Sequence, residues 1–251
     1  PNTPLFPSAQ LAGLPTAHIA AIETADIHAL TTAQASSLTT NQIAKGLTTD
    51  QVIALGTHQV QALSSAQLVA LSTDNVAALE TLDLAALKTS QIAALTTAQV
   101  AQGLTTDQVV ALTTDQVRSL TTGQIRALST DQIAAIETRD IAALKTSQIS
   151  ALSTSQLAAG LTTQQLAALD EAQVTAIMAI QNGAFSVEQI QAMGFGTPLV
   201  LDLNGNGIET QSITAGVEFD LYGTGQKVNT GWISGGDGLL VMDRNEDGLI
   251  N

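Results

Sequence analysis

The sequence predicts a mainly α fold. The expected architecture is a superhelical solenoid of very short helices, with 8-residue units and a 57-residue higher-order repeat, followed by a small mixed β/loop module. Three observations carry this reading. An octapeptide recurs through most of the chain, single glycines interrupt it at a fixed interval, and the composition changes abruptly near residues 194–198.

The octapeptide reads Leu-Thr-Thr-x-Gln-Ile/Val-x-Ala, as in Leu112-Thr113-Thr114-Asp115-Gln116-Val117-Arg118-Ser119 and Leu128-Ser129-Thr130-Asp131-Gln132-Ile133-Ala134-Ala135. From Leu30 to Ala176 there are 18 units: position 1 is Leu in 17, position 3 is Thr in 16, and position 5 is Gln in 15. A self-similar period of this kind decides the architecture before any local propensity does. Eight residues of continuous α-helix rotate ~800°, a drift of ~80° per unit, so the apolar stripe never settles on one face and a long helix or coiled coil is disfavoured. A strand fails because Leu at position 1 and Ile/Val at position 6 have opposite parity, and because Ala and Gln suit strands poorly.

What remains is a short helix restarted in every unit. Thr or Ser at position 2 with Gln at position 5, such as Thr113 with Gln116, has capping-box spacing. Position 2 is also Gly56, Glu80, Lys88, Glu137 or Lys145, whereas position 3 is nearly always Thr. The position-3 hydroxyl is therefore either the true cap or a bond to a neighbouring unit, and both alternatives start a helix in each unit. Asp50, Asp107, Asp115 and Asp131 at position 4 suit a helix first turn.

Gly46, Gly103 and Gly160 each add a ninth residue, and they recur with a constant period of 57. Units with an acidic start follow the same step: Glu23-Thr24-Ala25-Asp26, Glu80-Thr81-Leu82-Asp83 and Glu137-Thr138-Arg139-Asp140. Two explanations compete. One is duplication of a 57-residue block. The other is a 57-residue superhelical turn, with each Gly easing a tight bend, at most ~85 Å of helical contour closing a ring of roughly 27 Å. The solenoid is expected to fill with Leu, Ile, Val and Ala and to present Thr, Ser, Gln and scattered Asp outside. Its N-terminal limit falls near residue 8, and Ser186-Val187-Glu188-Gln189-Ile190 begins a last, capping helix through Met193.

Composition narrows the function. The chain is 251 residues long and 45% hydrophobic, which argues against a mainly disordered protein. It has no cysteine, which excludes disulfides, thiolate metal sites and a cysteine nucleophile. A net charge of −14 with only 8 Lys and Arg disfavours a nucleic-acid partner. No apolar run reaches membrane-spanning length. The first residue is Pro1 and the last, Asn251, falls inside a motif, so a fragment of a longer protein is the expectation. His18, His28 and His58 are single residues at different register positions, read as structural rather than as metal or haem ligands. No His–acid partner recurs beside the many hydroxyls, so no catalytic residues are expected in the repeat.

The stretch 195–251 carries 8 acids against 2 bases and most of the aromatics. The predicted domains are 8–194, the solenoid with its cap, and 198–251, a second module truncated at its C-terminal end. Two loops in that module have calcium-type spacing, with oxygen ligands at alternate positions around a glycine turn. In the first, Asp202, Asn204 and Asn206 offer side chains and Ile208 its carbonyl; Ile213 holds the place of the usual final acid, so Glu209 or a distant acid must complete the shell. In the second, Asp243, Asn245 and Asp247 take positions 1, 3 and 5, Leu249 offers a carbonyl and Asn251 stands at position 9. A third stretch, Asp220-Leu221-Tyr222-Gly223-Thr224-Gly225, keeps the shape but loses ligands at Tyr222 and is read as a turn. Flexible many-oxygen loops suit Ca²⁺ better than Mg²⁺.

The stretch from Asp202-Leu203-Asn204-Gly205-Asn206-Gly207-Ile208-Glu209 through Phe219-Asp220-Leu221, Thr230-Gly231-Trp232 and Asp237-Gly238-Leu239-Leu240-Val241-Met242-Asp243 resembles the calcium-binding module of large bacterial repeats-in-toxin (RTX) proteins. The resemblance covers the stretch 197–251, and the Thr-x-Gln octads resemble repeats of such giant surface proteins. It implies type I secretion, an extracellular or cell-surface location, and folding on meeting calcium. It carries Ca²⁺ ligation to Asp202, Asn204, Asn206, Asp243, Asn245 and Asp247. Tyr222 and Thr224 depart from the family pattern, and the Gly-Gly-x-Gly-x-Asp nonapeptide array is missing. The expected function is a non-enzymatic stalk or spacer with a Ca²⁺-stabilised module. The alternative is an adhesive or ligand-binding solenoid that grips a glycan, a partner protein or an identical chain.

Overall fold

The structure, a computed structural model, describes residues 7–178 and 185–194, and the backbone of four short strands between residues 199 and 240. It forms two compact units, Pro1–Ala168 and Leu169–Asn251.

The first unit is built of short repeated helices, one per octad. Each regular unit spends two residues in extended backbone and six in a helix. Leu112 (φ −61°, ψ 137°) and Thr113 (φ −75°, ψ 157°) are the extended link, and Thr114–Ser119 is the helix. Position 2 is the N-cap: the Thr113 Oγ1 accepts from the Gln116 N–H at 3.3 Å, and the Gln116 Oε1 accepts from the Thr113 N–H at 2.9 Å. At three units whose position 2 lacks a hydroxyl the second half of the box persists, at Gly56 (2.6 Å), Lys88 (2.7 Å) and Lys145 (2.9 Å), whereas the Glu80 and Glu137 units, with Asp at position 5, form no box. This tolerance follows from the bond being made by the backbone N–H. In two units the position-3 hydroxyl reaches a neighbouring turn: Thr57 donates to Asp83 at 2.6 Å and Thr114 to Asp140 at 2.5 Å.

The core is a continuous internal column. Position 6 (Ile43, Val52, Val60, Leu68, Ile92) is fully buried, and the position-1 leucines are nearly so. Each contributes ~1.5–3 kcal/mol on burial. Ala at position 8 is half-buried, leaving room for the next turn.

Glutamine is where the structure corrects the sequence reading. Position-5 Gln is not an outside residue. From Gln42 to Gln165 these side chains are between 1% and 5% exposed. While Oε1 closes the cap of its own helix, Nε2 donates to carbonyls of the preceding turn. Gln108 reaches Val76 O (2.8 Å) and Leu79 O (2.7 Å), and Gln124 reaches Ile92 O (2.9 Å) and Leu95 O (2.8 Å). One planar amide thus satisfies a helix start and a helix end on adjacent turns. In the first described turn the same register position holds Gln10, His18 and Asp26, and all three are exposed.

These bonds set the pitch. Gln51 bonds 32 and 29 residues back, Gln148 31 and 28, while other side chains bridge 25 or 26 residues. The expectation of a 57-residue turn is therefore corrected. One turn takes about half that length, three and a half units, and the 57-residue period spans two turns. At ~1.5 Å per helical and ~3.3 Å per extended residue, a turn of about 55 Å contour has a centre-line diameter of roughly 17 Å, narrow enough for side chains alone to fill.

None of Gly46, Gly103 and Gly160 has positive φ, so the backbone angle does not require glycine there. Each extra residue is absorbed at a helix end by a wide turn: the N–H of Leu47, Leu104 and Leu161 donates five residues back to Gln42, Gln99 and Gln156 at 2.9–3.1 Å. Gln99–Gly103 and Gln156–Gly160 are accordingly π-helical. The glycine itself answers to space. A Cβ on Gly103 would lie 3.0 Å from Val76 Cβ and 3.2 Å from Thr73 O, and one on Gly46 3.0 Å from Ile19 Cβ.

In the second unit, Glu171–Met178 is capped by Asp170, whose Oδ1 accepts from Gln173 N–H at 2.8 Å. Val187–Ala192 is capped by Ser186, as the sequence predicts. Gly194 follows it with φ 89°, a left-handed conformation that glycine adopts without steric cost. Leu199–Leu201 pairs antiparallel with Gly238–Leu240, and Val217–Phe219 with Val228–Thr230.

Candidate functional site

The predicted metal ligands Asp202, Asn204, Asn206, Ile208, Glu209, Asp243, Asn245, Asp247, Leu249 and Asn251 lie outside the described residues. The strands beside them are described. Leu199–Leu201 runs directly into Asp202, and Gly238–Leu240 precedes Asp243. Because Leu199 pairs with Leu240 and Leu201 with Gly238, the outgoing ends Leu201 and Leu240 are at opposite ends of this ladder.

In the solenoid, the units with Asp at position 5 differ most from their neighbours. Asp83 and Asp140 are buried at 3% and 1% exposure. A carboxylate has no N–H to donate, so neither can repeat the Gln bond to the preceding turn. Each instead accepts from a threonine one turn earlier, Thr57 or Thr114. Arg139 joins the later unit, with its Nη2 at 2.7 Å from Glu137 and its Nε at 3.5 Å from Asp140. Both units border shallow open depressions. Thr24, His28, Ile53, Thr57 and Glu80 surround the first, and Glu137, Arg139, Thr162 and Gln164 the second.

His18, His28 and His58 are exposed, and the His28 Nδ1 lies 3.1 Å from the Ala54 carbonyl of the next turn. Among the described residues, no three His, Asp or Glu side chains come together as a metal cluster. No described helix is long and apolar enough to cross a membrane. The functional residue that sequence reasoning missed is the buried Gln. The signal for it was present, because 15 of 18 units keep Gln and the replacements are its shorter analogues Asn and Asp. An exposed position would not be held to one amide.

Comparison with known proteins finds two family models on separate stretches of the chain. A family model described as the ALTTAQ repeat matches residues 19–57, 52–81, 76–114, 111–138 and 133–171. The three longest matches begin at 19, 76 and 133, in step with the two-turn period. A model described as the SPM domain matches 199–251. The iron-regulated protein FrpA of Neisseria meningitidis serogroup C is 50% identical over 56 residues, 22% of this chain and 5% of that protein. The chain thus spans a small part of that relative's length. The repeat matches run unbroken from residue 19 to residue 171, more than half of the 251 residues, and the chain belongs to the ALTTAQ-repeat family.

Proposed function

We propose that the chain is a non-enzymatic structural segment: a stapled solenoid, residues 8–194, that acts as a stalk or spacer, joined to a calcium-ordered module, residues 198–251, of a secreted or surface bacterial protein. The observation that carries the spacer reading is the ladder of buried Gln amides, broken at Asp83 and Asp140, which ties turn to turn and leaves a mostly polar outer surface. In a solenoid each turn contacts only its neighbours, so added units extend length without changing the core.

For the module, the support is the donor set. Asp202, Asn204, Asn206 with the Ile208 carbonyl and Glu209, and Asp243, Asn245, Asp247 with the Leu249 carbonyl and Asn251, are hard oxygen donors at calcium-loop spacing. The opposed ends of the flanking ladder support two separate loops rather than one shared shell. Calcium would offset the charge of a segment holding 8 acids against 2 bases and couple its folding to arrival in a calcium-rich exterior. A calcium titration followed by circular dichroism and calorimetry, on the chain and on Asp202→Ala, tests this. The expected result is a calcium-dependent gain of structure and stability that Asp202→Ala weakens. No calcium response, or an unchanged response in the variant, refutes the metal half and leaves the spacer reading standing.

A further inference from the structure

Ile53, Leu82 and Val110 are exposed at 47%, 75% and 44%, in a solenoid whose other large apolar side chains are mostly inside. The sequence step is 29 from Ile53 to Leu82 and 28 from Leu82 to Val110, the same steps that the Gln bonds take across one turn. The three side chains therefore form a single row across three consecutive turns. Ile53 lies in the helix Thr49–Ala54, Leu82 in Thr81–Ala86 and Val110 in Thr106–Ala111; the last two helices pack together, and Ile53 shares one depression with Glu80 and Asp83. Beside each apolar residue stands an exposed acid: Asp50, Glu80 and Asp107. The stretches 49–57, 80–83 and 106–112 contain no Lys or Arg.

We infer that this row is a docking surface for a basic amphipathic helix of a partner protein, lying along the superhelix axis. Packed helices of adjacent turns are ~8–10 Å apart, and seven residues of α-helix advance ~10.5 Å. One apolar residue per heptad on the partner therefore meets Ile53, Leu82 and Val110 in succession, with a drift of only ~20° per heptad. A strand fails the geometry, because ~3.3 Å per residue requires every third side chain and successive thirds point to opposite faces. The acids flanking the row select Lys or Arg around the partner's apolar residues and repel an anionic membrane surface. A second copy is disfavoured, because its matching row carries the same flanking acids and like charges would meet. This surface is built from solenoid residues alone and adds to the spacer reading a specific occupant.

The test uses the whole chain and a fluorescein-labelled synthetic helix of about 18 residues, with Leu at every seventh position and Lys at neighbouring ones. A scrambled peptide of the same composition and Leu82→Ser and Val69→Ser variants serve as comparisons, with circular dichroism verifying that both variants fold. Val69 is exposed at 40% but lies about half a turn away from the row. The expected result is saturable anisotropy, weakened roughly tenfold or more by scrambling or by Leu82→Ser and unchanged by Val69→Ser. No binding, equal binding of the scrambled peptide, or an unchanged affinity in Leu82→Ser overturns the proposal. Binding by anionic vesicles in preference to the peptide overturns it as well.

Discussion

Replacing Gln116 by Met keeps the length and volume of the side chain but removes every hydrogen bond it makes. Gln116 is 1% exposed; its amide accepts from Thr113 N–H and donates to Leu84 O (2.9 Å), Ala85 O (3.1 Å) and Leu87 O (2.8 Å). Leu84 O keeps a bond from Leu87 N–H at 3.1 Å, so its loss is partial. Leu87 O loses the donor that the staple provides, at a cost of ~1–3 kcal/mol for a buried unsatisfied carbonyl. The Thr113 N–H loses half of its capping box, worth ~1 kcal/mol, and the second bond to Leu84 a further ~1 kcal/mol. The sum is a destabilisation of roughly 3–5 kcal/mol, read as a lowered midpoint in urea denaturation of the full chain. Gln164→Met, at an exposed position 4, is the control and should remain within ~0.5 kcal/mol of the parent. If Gln116→Met also stays within ~0.5 kcal/mol, the staple contributes nothing and the account of turn-to-turn cohesion is wrong.

Two further consequences follow from spacing and side-chain length. Gly103→Ala places a methyl against Val76 and should cost ~1–3 kcal/mol, whereas Gly123→Ala, whose Cβ would meet nothing closer than 3.9 Å in an exposed helix, should stabilise by up to ~1 kcal/mol; thermal denaturation separates the two signs. Asn75 is one methylene shorter than its counterparts, makes a single cross-turn bond to Leu47 O at 3.2 Å and does not close a capping box, so Asn75→Gln should raise stability by ~1 kcal/mol in the same assay.

Much of this fold is legible in the sequence because its information is local. The octad fixes one helix per unit through Thr113 and Gln116, and burial of Leu112 and Val117 follows from their fixed register. The pitch was not legible, because it depends on how far a Gln Nε2 reaches across space. The 57-residue period was visible in Gly46, Gly103 and Gly160, but a repeat in sequence counts whole numbers of turns without saying how many. The same blindness put Gln outside: a polar side chain reads as exposed until the carbonyls it satisfies are seen. The exposed row of Ile53, Leu82 and Val110 was hidden for the same reason, since positions so far apart in sequence become neighbours only once the pitch is known. The residues proposed as calcium ligands are read from their spacing alone.

The absence of natural cysteine allows the half-period turn to be tested directly. Thr57→Cys with Asp83→Cys places one sulfur at the Thr57 Oγ1 position and the other near the Asp83 Cγ, one bond short of the Oδ1 that now lies 2.6 Å away across one turn. Thr57→Cys with Thr114→Cys separates them by one full period of the glycine pattern, two turns away. Mild oxidation of each monomer, read by mobility on a non-reducing gel and by mass, should give an intramolecular disulfide in the first variant and none in the second. A disulfide in the second variant and none in the first would contradict the account, and would restore the 57-residue turn.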